Sequence, residues 1–285
     1  MQRKILVFGR NGQVALELQA MTEVTALGHA EVDLMIPGAA KTAIVDHAPS
    51  VVINAAAYTA VDKAEQDDKA AFRLNAEAPG EMARACAKLD VPFVHISSDY
   101  VFNGCGSRPW LPDDATGPIG VYGRSKLAGE DAVRDAGGCY AILRTSWVFS
   151  AHGANFVKTM LRLSQTRDTL NVVDDQIGGP TPAHAIAAAC LTIADQLSQD
   201  PNKSGTYHFS GAPDVNWHGF AQEVLARAGR KTAVGPIPTS AYPTPAARPL
   251  NSRLDCSSTE DVFGLLRPDW RTALDHILKE LEITK

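Results

Sequence analysis

Four consecutive apolar residues, Ile5–Phe8, run straight into Gly9-Arg10-Asn11-Gly12-Gln13-Val14-Ala15, and no other stretch restricts the fold as much. The spacing is GxxGxxA, between a strand-like run and a helical pattern over Val14–Ala20. Gly9 permits a tight turn, Gly12 lets the backbone approach a pyrophosphate, and a small residue at 15 lets helix and strand pack closely. Backbone N–H groups at the helix start then face the anion. The same glycines would serve a plain strand-to-helix turn, so the motif gains meaning only from what surrounds it.

The surroundings repeat the pattern. Val51–Ile53, Phe93–Ile96 and Ala141–Leu143 read as buried strands, with Glu23–Leu27 and Asn171–Val173 as weaker ones. Helical patterns over Ala39–His47, Ala70–Lys88 and Tyr122–Arg134 separate them. Strand–helix alternation predicts an α/β fold with a Rossmann-type doubly wound parallel sheet. Beyond Trp147 the rhythm changes to helices near Asn155–Leu163, Ala183–Gln196, Trp217–Ala228 and Trp270–Leu281, joined by loops. We expect residues 1–150 to form a nucleotide-binding domain, with the strand and loop near 166–182 returning to it. Residues 151–285 then form mainly a smaller C-terminal α/β substrate-binding region. The proline-rich run 235–249 fits a disordered linker or an ordered loop equally well on composition.

Net charge is −5, so no basic footprint for nucleic acid or an anionic membrane exists. Five cysteines without a CxxC argue against a disulfide framework or zinc site and for a reducing compartment. The N-terminal apolar run is too short for a signal sequence, and the stretch around Ala185–Ala194 is too short to span a bilayer. A cytoplasmic protein is expected.

Tyr122-Gly-Arg-Ser-Lys126 places a phenol and an ammonium at i and i+4, on one helix face. A phenol titrates near 10 unperturbed; a nearby cation favours the phenolate and makes proton transfer near neutral pH easier. Alone, YxxxK fits any solvated helix. Upstream, however, Ile96-Ser97-Ser98-Asp99-Tyr100 ends a predicted strand, where open α/β sheets bind ligands. A strand-end serine, a Tyr/Lys helix and an N-terminal phosphate turn together are a rare combination.

On these residues the chain resembles the extended short-chain dehydrogenases, and within them the dTDP-4-dehydrorhamnose reductase group. The blocks that carry the likeness are GRNGQVALEL (9–18), NAAAYTAVDKAE (54–65), SSDYVF (97–102), VYGRSKLAGE (121–130), RTSWVF (144–149), NFVKTMLRL (155–163), DQIGGPT (175–181) and AYPTPAARPLNSRL (241–254). The resemblance implies catalysis by Ser98, Tyr122 and Lys126. It implies cofactor contacts from Gly9, Asn11, Gly12, Gln13, Asp33, Leu34, Ala57, Tyr58 and Thr59, as well as Tyr122 and Lys126. It implies sugar-nucleotide contacts from Ser98, Asp99, Tyr100 and Trp147, with Arg248 meeting a diphosphate from a substrate loop. The implied reaction is NAD(P)H-dependent reduction of the C4 keto group of dTDP-4-dehydro-β-L-rhamnose to dTDP-L-rhamnose.

Cofactor choice is read from the second strand. Its end, Leu27-Gly28-His29, lacks the acid that would accept a ribose 2′-OH, although Glu31 and Asp33 follow. This favours NADPH, with NADH accepted. Some relatives bind Mg²⁺ through glutamates at a dimer interface. Glu17 matches one such position but His184 stands at another, which weighs against magnesium; no metal ligands are assigned, and a homodimer stays open. Three rival functions remain: a dehydratase or epimerase, a non-catalytic nucleotide-binding regulatory subunit, and a 4-ketoreductase of another nucleotide-deoxysugar. Elimination would need a second carboxylate after the strand-end hydroxyl, where Tyr100 stands.

Overall fold

The computed structural model describes residues 4–284. Residues 1–3, which begin the N-terminal run considered above, and residue 285 lie outside the description. The first half of the chain forms β1 (Ile5–Phe8), β2 (Thr25–Leu27), β3 (Val51–Asn54), β4 (Phe93–Ser98) and β5 (Tyr140–Thr145). From the second half come β6 (Thr169–Val173), β7 (Gly205–His208) and β8 (Ala233–Ile237). The main sheet has six parallel strands in the order β7-β5-β4-β3-β1-β2. Parallel strands buried on both faces need apolar residues at every position. Alternate residues then serve opposite cores. Ile5 and Val7 pack with Val51, Val94 and Leu143 against helix Ala183–Gln199. Leu6 and Phe8 pack with Val52, Phe93 and Ile142 against Ile44, Met82 and Cys86.

One strand corrects the sequence reading. Residues 169–173 do not return to the main sheet; β6 pairs with β8 in a separate two-stranded sheet. The sixth strand of the main sheet is β7, which follows helix Ala183–Gln199 and lies beside β5. The alternation in β6, with Leu170 and Val172 buried between exposed Thr169 and Asn171, suits a sheet covered on one face only. A third core joins Leu170 and Val172 to Phe149, Val157, Phe220, Val224, Trp270 and Leu274. The expected helix over 70–88 is likewise interrupted by a π-helical stretch at Arg73–Glu77 before helix Ala78–Leu89. Such bulges often mark functional positions. No helix among the described residues is long and apolar enough to cross a membrane.

The strand order reverses between β1 and β3, because β2 lies on one side of β1 and β3 and β4 on the other. Open α/β sheets bind ligands at such a switch point, outside the carboxyl ends of the strands. The turn after β1, the segment after β3 and Ser98 at the end of β4 therefore converge there.

Candidate active site

Gly9 leaves β1 with φ +105, and a Cβ on it would lie 2.8 Å from the backbone of Ala55 and Ala56. Only glycine fits this turn. Gly12 is the N-cap of helix Gln13–Met21 and has no side chain to cap it, so the first N–H groups of the helix remain open to an anion. Ala15 is fully buried beneath the turn. The Gln13 side chain turns sideways: its Oε1 accepts hydrogen bonds from Ser150 (2.8 Å) and Asn155 (3.0 Å), tying the turn to the second half of the chain. Asn11 is exposed beside it.

A cleft of about 180 Å³ next to the turn is lined by Gly9, Gly28, Asp33, Leu34 and Ala57, among others. Four residues expected at the cofactor thus share one depression. Tyr58 and Thr59 follow Ala57; the Tyr58 N–H donates to Asn75 at 2.8 Å, while Thr59 is exposed. The acid missing from Leu27-Gly28-His29 is supplied from further along the chain. Glu31 folds back so that its carboxylate accepts the Gly28 N–H at 2.9 Å and pairs with Arg10. Those contacts, the Gly28 hydrogen bond foremost, hold its pKa below the ordinary value. Primary structure showed this acid at the wrong register; only the turn returns it to the strand end.

Ser98 ends β4, and its Oγ accepts the Tyr100 N–H at 3.2 Å while donating to Asp99 Oδ1 at 3.0 Å. Burial pushes the Asp99 carboxyl up to about 6, against opposing hydrogen bonds from Ser252 and Ser98. Tyr122 and Lys126 stand on one face of helix Val121–Ala136. That helix sits close against its neighbours: a Cβ on Gly129 would lie 1.9 Å from the Asn75 carbonyl oxygen. Lys126, 2% exposed, donates from Nζ to the Ile96 carbonyl at 2.7 Å. Burial brings its pKa down to about 8, with the Glu130 charge opposing.

Tyr122 behaves differently from the sequence expectation. Burial raises its phenol to about 12, only partly offset by the Ser98 hydrogen bond, and Asp99 raises it further. Burial, Ser98 and Asp99 set the proton affinity of this phenol, not Lys126. A phenol that keeps its proton at neutral pH is suited to giving one away. Tyr100 packs edge-on against Tyr122, with ring centroids 5.3 Å apart.

Tyr100 also lines the largest cavity near the site, about 690 Å³, together with Asp62, Arg167, Trp217 and Arg248. Trp147 stacks on Trp217 at 3.6 Å and adopts φ +50, a strained value for a bulky side chain. The proline-rich run is ordered. Its start forms β8, Thr239 is held by Asp175, and Arg248 pairs with Asp62 at 2.8 Å. Asp62, Arg167 and Trp217 escaped the sequence reading, for no motif spacing marks them.

Glu17 faces His152 at 3.6 Å, and burial raises its pKa while His152 and His184 oppose. No group of three metal-ligating side chains is present among the described residues.

A glycine turn at a sheet switch point, with a strand-end serine beside a Tyr/Lys helix, defines an extended short-chain dehydrogenase architecture. Comparison with known proteins narrows this class. The family model described as RmlD substrate binding domain matches residues 3–283. A dTDP-4-dehydrorhamnose reductase of Sinorhizobium fredii is 46% identical over 277 residues, covering 94% of both chains. The crystal structure of a dTDP-4-dehydrorhamnose reductase from Clostridium acetobutylicum superposes with a TM-score of 0.91 at 35% identity, over 98% of this chain and 99% of that one. One from Bacillus anthracis, in complex with NADP, gives 0.91 at 31% identity, over 98% and 100%. The chain belongs to the dTDP-4-dehydrorhamnose reductase family.

Proposed function

We propose that the protein reduces the C4 keto group of dTDP-4-dehydro-β-L-rhamnose to dTDP-L-rhamnose with a nicotinamide cofactor. The observation that carries this reading is the placement of the Tyr122 hydroxyl against Ser98 at the end of β4, one helical turn from Lys126. When bound, a reduced nicotinamide would supply the hydride for the sugar C4. Tyr122 donates its proton to the C4 oxygen, and Ser98 hydrogen-bonds that oxygen as charge develops on it. Lys126 would hold the nicotinamide ribose through its ammonium. Asp99, Tyr100 and Trp147 shape the sugar site, and Arg248 meets the diphosphate.

The cofactor would lie across Gly9, Asn11, Gly12 and Gln13, with its adenosine in the cleft formed by Asp33, Leu34 and Ala57, flanked by Tyr58 and Thr59. Residues 1–150 hold it, with residues 151–285 mainly binding the sugar nucleotide. NADPH is the preferred donor, because Arg10 offers a cation to a 2′-phosphate at the end of β2. NADH is accepted, because Glu31 offers a carboxylate to a 2′-OH. Arg10→Ala should lower the NADPH:NADH ratio of kcat/KM by about tenfold, and Glu31→Gln should raise it several-fold, since charge-assisted contacts contribute on this scale even when partly exposed. Ratios unchanged in both variants would remove this pair from cofactor selection. We assign no metal to the reaction and place the protein in the cytoplasm.

The direct test is incubation with enzymatically made dTDP-4-keto sugar and NADPH. Loss of reduced-nicotinamide absorbance with formation of dTDP-L-rhamnose is the expected result. A product of different configuration would make the protein a 4-ketoreductase of another deoxysugar. Turnover without loss of reduced nicotinamide would make it an epimerase or dehydratase.

A further inference from the structure

The large cavity is lined by three charged side chains, Asp62, Arg167 and Arg248. Two of them are paired with each other. Asp62 belongs to the short helix Val61–Ala64, just beyond the Ala57-Tyr58-Thr59 segment, while Arg248 lies in the proline-rich loop far along the chain. The Asp62 carboxylate uses both oxygens on that loop: Oδ2 accepts Arg248 Nη2 at 2.8 Å, and Oδ1 accepts the Ala246 N–H at 3.2 Å. The Arg248 Nη1 donates back to the Ala246 carbonyl at 3.3 Å. Two side chains and one backbone unit thus close a ring of polar contacts at the cavity edge.

The helix that carries Asp62 is itself held firmly. Glu65, one residue past its end, accepts the Val121 N–H at 2.8 Å, at the start of the helix bearing Tyr122 and Lys126. Tyr58 donates to Asp67 at 3.2 Å, closing the same segment on itself. The loop has its other anchor at Thr239, whose N–H and hydroxyl are taken by Asp175. Between these two anchors Tyr242 is 59% exposed; beyond the Asp62 clasp the chain is tied down again where the Leu250 carbonyl accepts the Ile177 N–H at 2.8 Å and the Asn251 N–H donates to the Gly104 carbonyl at 3.0 Å, so the clasp acts on the Arg248 side chain and its own turn.

We propose that Asp62 is a positioning residue for the diphosphate of the nucleotide substrate: it orients the Arg248 guanidinium and pins the loop against the cavity before the ligand arrives. A guanidinium has five N–H donors in a rigid fork, so one carboxylate leaves donors free for phosphate oxygens. Ordering an arginine side chain and its loop in advance removes a cost that binding would otherwise bear. An opposite effect is available to the same carboxylate, since its negative charge repels a diphosphate. Asp62 is 44% exposed, which screens that repulsion, whereas the hydrogen bonds to Arg248 and Ala246 act at contact range. Positioning therefore outweighs repulsion.

This inference rests on the reading of Arg248 as a diphosphate contact, and the test separates the two. Binding of dTDP is measured by calorimetry for the unaltered protein, Arg248→Ala, Asp62→Ala, Asp62→Asn and the double variant, with NADPH affinity as a folding control. The expected result is a loss of about tenfold in dTDP affinity for Arg248→Ala and nearly as much for Asp62→Ala. Asp62→Asn, which keeps an acceptor oxygen, should lose less. The double variant should bind no more weakly than Arg248→Ala alone, because Asp62 acts through that guanidinium. In turnover, Asp62→Ala should raise KM for the sugar nucleotide while changing kcat by less than about twofold. Tighter or unchanged dTDP binding in Asp62→Ala, with Arg248→Ala impaired, overturns the positioning role and leaves the diphosphate contact intact. Unchanged binding in Arg248→Ala overturns both.

Discussion

Tyr122→Phe is expected to lower turnover of the keto sugar by two to four decades while leaving NADPH affinity within about twofold, the usual scale for removing a positioned general acid. The substitution deletes one hydroxyl and keeps the ring, so the edge-on contact with Tyr100 survives. What disappears is the proton. Burial holds the phenol near 12, so at neutral pH it is fully protonated and ready to donate to the C4 oxygen. Ser98 cannot replace it, because an aliphatic hydroxyl is a far weaker acid than a phenol and offers the C4 oxygen a hydrogen bond, not a proton. The same assay over a pH series should show the rate of the unaltered enzyme falling as pH rises through about 8, where the Lys126 ammonium is lost. The phenol, titrating near 12, contributes nothing to that limb. Turnover in Tyr122→Phe within a factor of a few of the unaltered enzyme would mean that the proton comes from elsewhere.

Glu130→Leu should produce the largest loss of stability. Glu130 lies two turns beyond Tyr122 on the same helix and is fully buried. Burial alone would raise its pKa, but hydrogen bonds and charge from Arg144, with Ser97 and Arg134, outweigh that and hold it ionised. Arg144 makes two parallel contacts to it, at 2.9 and 2.7 Å, and spans to the Pro112 carbonyl at 2.9 Å. Removing the carboxylate strands a buried guanidinium on β5, which costs about 3–5 kcal/mol. For a chain of this size that corresponds to a fall of about 10 °C in Tm. Because the native pKa is depressed, this contribution is present above the unfolded carboxylate pKa and is lost as pH falls through the native value. Glu130→Leu combined with Arg144→Met should regain part of the loss, since apolar replacement of both partners leaves no orphaned charge. A thermal melt of Glu130→Leu within 1 or 2 °C of the unaltered protein, on the scale set for chains of this size, would contradict the assignment.

The two variants probe one helix, and they divide what was legible in the chain from what was not. Tyr122 and Lys126 could be picked out because helical spacing is local: four residues return a side chain to the same face whatever surrounds the helix. The phosphate turn was legible for a similar reason, as Gly9 must accept φ +105 wherever that strand ends. Unbroken apolar runs likewise marked β1, β3, β4 and β5, since strands covered on both faces have no polar side to show.

Non-local pairing was hidden. β6 and β7 are both short runs; the alternation in β6 suits a sheet covered on one face, but nothing within β7 says that it completes the main sheet. Glu31 stood in the open but at the wrong distance from β2 until its turn folded it back onto Gly28. The Tyr122 phenol was expected to be made more acidic by Lys126, yet burial sets its proton affinity, because desolvation depends on every atom packed around it and not on the residue four positions away.

Short-range order in this protein, meaning the glycine turn, the strand faces and the Tyr/Lys helix, was therefore set by primary structure alone, because steric limits on the backbone act over a few residues. Tertiary structure alone decided which distant segments meet: Asp62 with Arg248, Glu130 with Arg144, and Gln13 with Ser150 and Asn155. Contacts between residues tens to hundreds of positions apart depend on how the packed layers come together, and no spacing along the chain encodes that distance.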